Sequence, residues 1–265
     1  MRLQISHETS YTYTAPVHYS IQQLRLTPRN DPHQRVLSWQ INAPDRMQRF
    51  TDAFGNIAHS LVLSQPHESV RVFVDGVLDV DPIEDGSIPG SATHLSPLVF
   101  TMATPLTASD EAIRSLAARH LAAPVRTDGL LTLADTIRES VRYESGYTEV
   151  TSTAAQALEL GRGVCQDHAH LLIACCRAAG IPARYVSGYV HPGDTPHAAS
   201  HAWADVWIED QEWVSIDVTN AKFAGEWHCR LAVGRDYLSA APVRGVRTGG
   251  GDEALDVKVS VHSGQ

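Results

Sequence analysis

The sequence predicts an α+β protein: an antiparallel β-sandwich-like domain at the N-terminus, then a core of helices packed on an antiparallel sheet. Three observations carry this expectation. Residues 1–82 alternate apolar and polar side chains over short spans broken by turn residues, the period-2 pattern of half-buried strands. Residues 109–179 then place apolar side chains at helical spacing behind capping residues. Strand alternation returns from residue 183 and lasts almost to the end. Strands and helices that come in separate runs indicate α+β layers rather than βαβ crossovers.

Taken in order, Arg2–Ser6, Val36–Ile41 and Val70–Val74 read as strands, with turns at Pro44-Asp45 and Gly55-Asn56. A stretch rich in Pro, Gly and Ser makes residues 83–100 a linker, so the domains are expected at 1–82 and 101–265. Ser109-Asp110-Glu111 starts a helix carrying Ile113, Leu116, Ala117 and His120. A second helix carries Leu130, Leu133, Ala134, Ile137 and Val141, and Thr153 caps a third. A fourth lies between Gly161-Arg162-Gly163 and the stop signal Gly180-Ile181-Pro182. Its residues Cys165, Ala169, Leu172, Ile173 and Cys176 form one apolar stripe. Strands at 183–190, 201–208, 213–218 and 255–261 follow, with Gly249-Gly250-Gly251 read as a turn.

A chain of 265 residues is long enough for two domains, and 43% hydrophobic content is ordinary for a globular protein. The net charge of −9 speaks against a nucleic-acid partner, which would need a basic stripe. No apolar run reaches membrane length, and Met1–Glu8 lacks the apolar segment of a signal peptide, so no membrane association is expected. Four cysteines, two of them adjacent, make no disulfide framework. A reducing, cytoplasmic location is the expectation.

The cysteines matter for another reason. Cys165 stands where a helix begins, and a thiol there meets the positive end of the helix dipole, which favours thiolate. Cys175 and Cys176 are mid-helix and read as structural. His201 and Asp217 lie downstream on two consecutive strands. In the first, Ala202, Ala204, Val206 and Ile208 face one way; in the second, Val214, Ile216 and Val218 do. Pairing these aliphatic faces sets even positions against even positions, so the odd-numbered His201 and Asp217 share the opposite face. They are then directly or diagonally adjacent, within side-chain hydrogen-bond reach. Cys165, His201 and Asp217 are therefore the candidate nucleophile, base and orienting carboxylate.

The metal alternative is weaker. His168 and His170 are two apart on a helix and cannot face one ion together; His197 lies four before His201, and no Cys-x-x-Cys or His-Glu-x-x-His spacing occurs. No metal and no cofactor are expected.

Gly163-Val164-Cys165-Gln166-Asp167-His168, Ser200-His201-Ala202-Trp203 and Asp217-Val218-Thr219-Asn220 resemble the three ordered blocks of the bacterial transglutaminase-like superfamily, a branch of the papain-like thiol enzymes. Gly234-Arg235-Asp236-Tyr237 and Ala241-Pro242-Val243-Arg244-Gly245 are similar to its closing segment. Tyr11-Thr12-Tyr13, Leu24-Arg25-Leu26-Thr27-Pro28-Arg29 and Asp52-Ala53-Phe54-Gly55-Asn56 are similar to the β-rich domain that often precedes its core. Three departures are visible. Val218 replaces the usual proline, His168 stands where an aromatic is common, and no tryptophan lies between Trp39 and Trp203 to serve an oxyanion hole. Tyr143, Gln166 and Trp203 are the candidates for oxyanion or substrate contacts.

The resemblance implies acyl transfer on amide bonds of a peptide or protein substrate through a thioester, with hydrolysis by a peptidase or amidase favoured. The alternatives are a protein-crosslinking transglutaminase and a non-catalytic binding module. Oligomeric state is left open.

Overall fold

The computed structural model describes residues 1–88, 95–191, 193, 200–209 and 212–264. Five strands open the chain: β1 (Arg2–Thr27), β2 (Gln34–Asn42), β3 (Met47–Thr51), β4 (Ile57–Leu63) and β5 (His67–Val80). There follow β6 (Ser87–Ile88), α1 (Glu111–His120), α2 (Thr127–Ser140), β7 (Arg142–Tyr143), α3 (Ala154–Leu160), β8 (Arg162–Gly163) and α4 (Cys165–Ala178). The chain ends with β9 (Ala183–Val190), β10 (Ser200–Ile208), β11 (Glu212–Asp217), β12 (Lys222–Phe223), β13 (His228–Gly234), α5 (Tyr237–Ala240), β14 (Val243–Gly249) and β15 (Glu253–Gly264).

β1 organises a seven-stranded antiparallel sheet. Its first half pairs with β5 and β15, its second half with β4 and β14, while β2 and β3 flank β5 and β4. Side chains from both halves, including Leu3, Ile5, Val72, Leu24, Leu26 and Leu61, share one buried cluster, which gives the domain its sandwich-like character.

The strand must bend between its halves, and the glycines show where. Gly249, Gly250 and Gly251 have φ of +85°, +97° and +59°, a run that only glycine adopts without strain. They do not form the expected turn. β14 and β15 run on in one direction along β1, and the three glycines form a kink opposite Thr14-Ala15-Pro16, with Ala15 N–H donating to Gly250 O (3.1 Å) and Gly250 N–H to Pro16 O (3.1 Å). Residues 243–264, expected to close the core, therefore belong to the first sheet. The helices and the second sheet are an insertion between β5 and β14. The expected linker is also anchored: β6 pairs with β11, and Ile88 and Phe100 pack against Trp213.

The second sheet has the order β12-β11-β10-β9-β13, with β6 alongside β11. Ala204 faces Ile216 and Asp205 faces Ser215, the even-with-even register expected from the sequence. The aliphatic even positions pack on α4. The helix caps expected at Asp110 and Thr153 are formed: Asp110 Oδ1 accepts Ile113 N–H (2.9 Å) and Thr153 Oγ1 accepts Gln156 N–H (3.2 Å).

α4 departs from the expected one-sided stripe, since every residue from Gln166 to Arg177 is buried. Its polar positions are covered because each finds a partner. His168 bonds Val141 O and Thr219 Oγ1, His170 Nε2 accepts Tyr237 N–H, and Arg177 donates to Phe100 O, Thr107 Oγ1, Ala183 O and Arg235 O.

The odd-numbered face of the second sheet holds a buried ionic cluster. Asp205 Oδ2 accepts from Arg184 Nε and Arg230 Nη1, both at 2.7 Å, and Oδ1 from Ser215 Oγ (2.8 Å) and Arg230 Nη2 (2.9 Å). Burial pushes the Asp205 pKa up, but the two guanidiniums outweigh it and hold the carboxyl at about 2. The edge strand β13 is capped by two amides from the first domain. Gln34 bonds both N–H and C=O of Arg230 (2.8 and 3.0 Å), and Asn56 does the same for Val233 (2.8 and 2.7 Å). Each amide acts as one residue of a neighbouring strand, satisfying the edge and docking the domains.

Asp205→Asn should lower unfolding free energy by about 3–5 kcal/mol, because it removes the carboxylate charge that two buried guanidiniums bind. Because the folded pKa is depressed from the ordinary 3.8, the stabilisation from Asp205 is complete above that value and fades only as pH falls through about 2. Asn56→Asp, which keeps the shape but removes the donor to Val233 O, should cost about 2–3 kcal/mol. Urea midpoints at neutral pH measure both; an unchanged midpoint for either variant would contradict its assigned role.

Candidate active site

Cys165 is the first residue of α4. The segment before it is held by a parallel pair, β7 with β8, which sets Tyr143 opposite Gly163. Asp167 folds back over the helix start: its Oδ2 accepts Val164 N–H (2.8 Å) and the Thr148 hydroxyl (2.7 Å). A Cβ at position 163 would lie 2.6 Å from that oxygen, so the close approach requires glycine. Burial raises the Asp167 pKa, against the two hydrogen bonds that lower it.

His201, near the start of β10, places Nε2 2.9 Å from Asp217 Oδ1 at the end of β11. Cys165 lines the same cavity as that imidazole and helps to raise its pKa. Asp217 is fully buried and accepts four hydrogen bonds: from His201 Nε2, His228 Nε2 (3.0 Å), Asn220 Nδ2 (2.7 Å) and Asn220 N–H (3.3 Å).

These contacts determine where protons sit. Gly225 N–H donates to His228 Nδ1 (3.1 Å), so that nitrogen is bare and Nε2 carries the proton given to Asp217. Burial lowers the His228 pKa, outweighing the attraction of Asp217, and the ring is neutral. His201 must likewise donate from Nε2 to the carboxylate, which leaves Nδ1 as the ring nitrogen available in the cavity it shares with Cys165. Burial opposes charge on His201, yet the charge and hydrogen bond of Asp217, helped by Cys165, raise its pKa to about 10. Burial also opposes the charge on Asp217, and His201 and His228 together hold its pKa well below the usual carboxylate range.

The other candidates separate. Gln166 lines the same cavity of about 260 Å³ as Cys165 and His201, and its Nε2 donates to Val150 O (3.3 Å). Tyr143 lies near Cys165: burial and the charge of Cys165 push its hydroxyl to about 12, and its ring meets His168 edge-on at 6.1 Å. Trp203 does not line that cavity. It is buried against His201 (6.1 Å) and His228 (5.2 Å), where it screens the ring cluster from water. Trp207 and Trp213 pair elsewhere, at 5.4 Å.

His228 escaped the sequence reading. It stands eleven residues beyond Asp217 on another strand, with no local motif to mark it. The histidines weighed for a metal do not assemble: His168 and His170 are occupied separately within the core, and His197 lies outside the described residues. His201, Asp217 and His228 do bring ligand atoms within 4.8 Å of one another. The proton on His228 Nε2 leaves that nitrogen no lone pair for an ion.

Family comparison agrees with both halves of the molecule. Residues 114–218 match the transglutaminase-like superfamily, and residues 3–79 match the bacterial transglutaminase-like N-terminal region. An uncharacterised protein of Mycobacterium leprae is 32% identical over 279 residues, covering 98% of each chain. One from Mycobacterium tuberculosis is 32% identical over 290 residues, covering 98% of this chain and 92% of its own. A protein-glutamine gamma-glutamyltransferase of Pseudomonas aeruginosa is 32% identical over 102 residues, which is 32% of this chain and 14% of that enzyme. Among solved structures, a candidate cysteine protease from Cytophaga hutchinsonii superimposes with a TM-score of 0.79 at 22% identity, covering 99% of this chain and 90% of that one, a likeness of fold. The chain belongs to the transglutaminase-like superfamily and carries its bacterial N-terminal region.

Of the four cysteines, Cys165 is partly exposed while Cys175, Cys176 and Cys229 are buried. Burial raises the Cys175 thiol to about 12 and pushes the other two buried thiols up as well. Iodoacetamide at neutral pH should therefore alkylate Cys165 well before the rest, as peptide mapping by mass spectrometry would show. Equal labelling of the native protein would contradict the site.

Proposed function

We propose that this chain is a cysteine-dependent acyl-transfer enzyme acting on amide bonds of peptides or proteins, with water as the usual acceptor. The observation that carries this reading is the hydrogen-bonded Asp217–His201 pair in the same open cavity as Cys165, which stands at a helix N-terminus. The Cys165 thiolate attacks the amide carbonyl carbon, and the carbonyl π electrons move to oxygen. The oxyanion lies against backbone N–H groups at the start of α4, with Gln166 and Tyr143 as side-chain candidates. Collapse breaks the C–N bond as His201 passes its Nδ1 proton to the leaving amine, and a thioester remains on Cys165. Water attacks next, gives a proton to His201 and releases a carboxylic acid and the thiolate. A primary amine in place of water would yield a new amide, the crosslinking outcome.

Throughout, Asp217 keeps the imidazole in the tautomer that faces sulfur and stabilises its positive form. Cys165→Ser, His201→Ala and Asp217→Asn should each lower amide turnover on the order of 10³-fold or more, and the losses should not multiply in double variants, because the three act as a unit. Turnover of peptide amides with and without added amine, read by mass spectrometry, distinguishes acid from amide product. Wild-type turnover in Cys165→Ser would remove the proposal.

The pH dependence has a definite sign. The folded pKa of His201 is raised from 6.5 to about 10, so the support its charge gives to the folded site is complete below 6.5 and fades as pH rises through about 10. Asp217→Asn deletes the main raising influence and leaves burial, which lowers the His201 pKa. The thiolate loses its partner, and the limb for Cys165 alkylation should move to higher pH. Superimposable wild-type and Asp217→Asn profiles would reduce the triad to a dyad.

A further inference from the structure

The cavity that holds Cys165 and His201 is walled on one side by the first sheet. Tyr11, Thr9 and His7 of β1 line it, with Leu255 and Val257 of β15 and with Pro242 and Val243 at the approach to β14. Register explains the wall: Tyr11 is opposite Leu255 and Thr9 opposite Val257, so all four side chains project from one face of the sheet. Leu255 and Val257 are 56% and 47% exposed, an apolar pair left open to solvent beside a thiol.

The described residues lining the cavity include no Asp, Glu, Lys or Arg. His7 adds no charge: its ring is tied to Tyr189 Oη (2.6 Å) and Thr9 Oγ1 (2.8 Å), and burial lowers its pKa to about 4. Apart from the Cys165–His201 pair itself, a charged side chain bound against this wall would lose water and find no counter-ion, whereas an apolar one would cover Leu255 and Val257.

We propose that Tyr11, Leu255 and Val257 form a subsite that selects an uncharged, apolar side chain next to the carbonyl attacked by Cys165. The first sheet is thus the specificity wall of the enzyme, and the C-terminal strand contributes to it directly. The proposal rests on Cys165 being the nucleophile.

Covalent labelling tests it without a known substrate. Second-order rates of Cys165 alkylation are measured with iodoacetamide, with the apolar iodoacetanilide and with the anionic iodoacetate. Each rate is divided by the iodoacetamide rate of the same variant and compared with the same ratio for free cysteine. In wild type the anilide ratio should exceed that of free cysteine by roughly tenfold, the worth of covering one apolar group. Leu255→Asp and Val257→Asp should bring it down severalfold toward the free-thiol value, and Leu255→Lys should raise the iodoacetate ratio above that of free cysteine, a gain that misfolding cannot produce. A wild-type anilide ratio equal to that of free cysteine, or one unmoved by both Asp variants, would overturn the subsite and leave the nucleophile standing. Failure of iodoacetamide to prefer Cys165 over the buried cysteines would overturn both.

Discussion

Asp205 is the constraint on which the second sheet depends. Its carboxylate binds Arg184 on β9, Ser215 on β11 and Arg230 on β13, and it belongs itself to β10. One buried carboxylate thus spans four strands. Removing so many charges from water is expensive, and the arrangement is tolerable only when all the partners arrive together. A slip of any strand by one residue would send its member to the other face and strand a charge in the core. The cluster acts as a register lock, and the register is what delivers His201, Asp217 and His228 to a single point.

Asp217 is the second buried carboxylate of the odd-numbered face, and the contrast with Asp205 is instructive. Both are saturated with donors, and both are held ionised against burial. Asp205 faces arginines, which do not give up their protons at accessible pH, so its cluster is electrostatically static. Asp217 faces two histidines whose roles diverge. His228 is neutral and donates from a fixed tautomer, while His201 is driven toward its charged form and keeps its other nitrogen free of Asp217. The same residue type on the same sheet face serves structure in one place and, under the proposed mechanism, proton transfer in the other.

The two domains are interdependent rather than strung in series. The C-terminal strand returns to pair with β1, so the first sheet closes only after the inserted core has been traversed. Gln34 and Asn56 then lend their amides to the edge of β13, and Tyr189, Cys229 and Leu231 of the second sheet enter the cluster of the first. The cleft that holds Cys165 and His201 lies along this junction, which explains how strands far from Cys165 in sequence come to line it.

Local periodicity and capping were enough to recognise α1 to α4, the strands β2, β5, β9, β10, β11 and β15 with the start of β1, and the shared face of His201 and Asp217, because each depends on neighbours within a few residues or on the fixed parity of strand pairing. The helix-start position of Cys165 was legible for the same reason, whereas β3, β4, β13 and β14 were not read. Nor were the partners of polar residues. His168, His170, Arg177 and Asp205 are buried by contacts across long sequence separations, and no pattern along the chain records which distant carbonyl or carboxylate will receive a given donor. His228 was invisible on the same ground. Gly249-Gly250-Gly251 illustrates the limit most plainly: three glycines announce an unusual backbone, but whether it reverses the chain or kinks a strand depends on what lies alongside. Here that neighbour is β1, more than 200 residues earlier. The sequence alone determined the four main helices, the more regular strands and the candidate triad. Only the tertiary structure decided the domain to which the C-terminal strand belongs, the tautomers around Asp217 and the wall that faces the thiol, because each is set by long-range pairing.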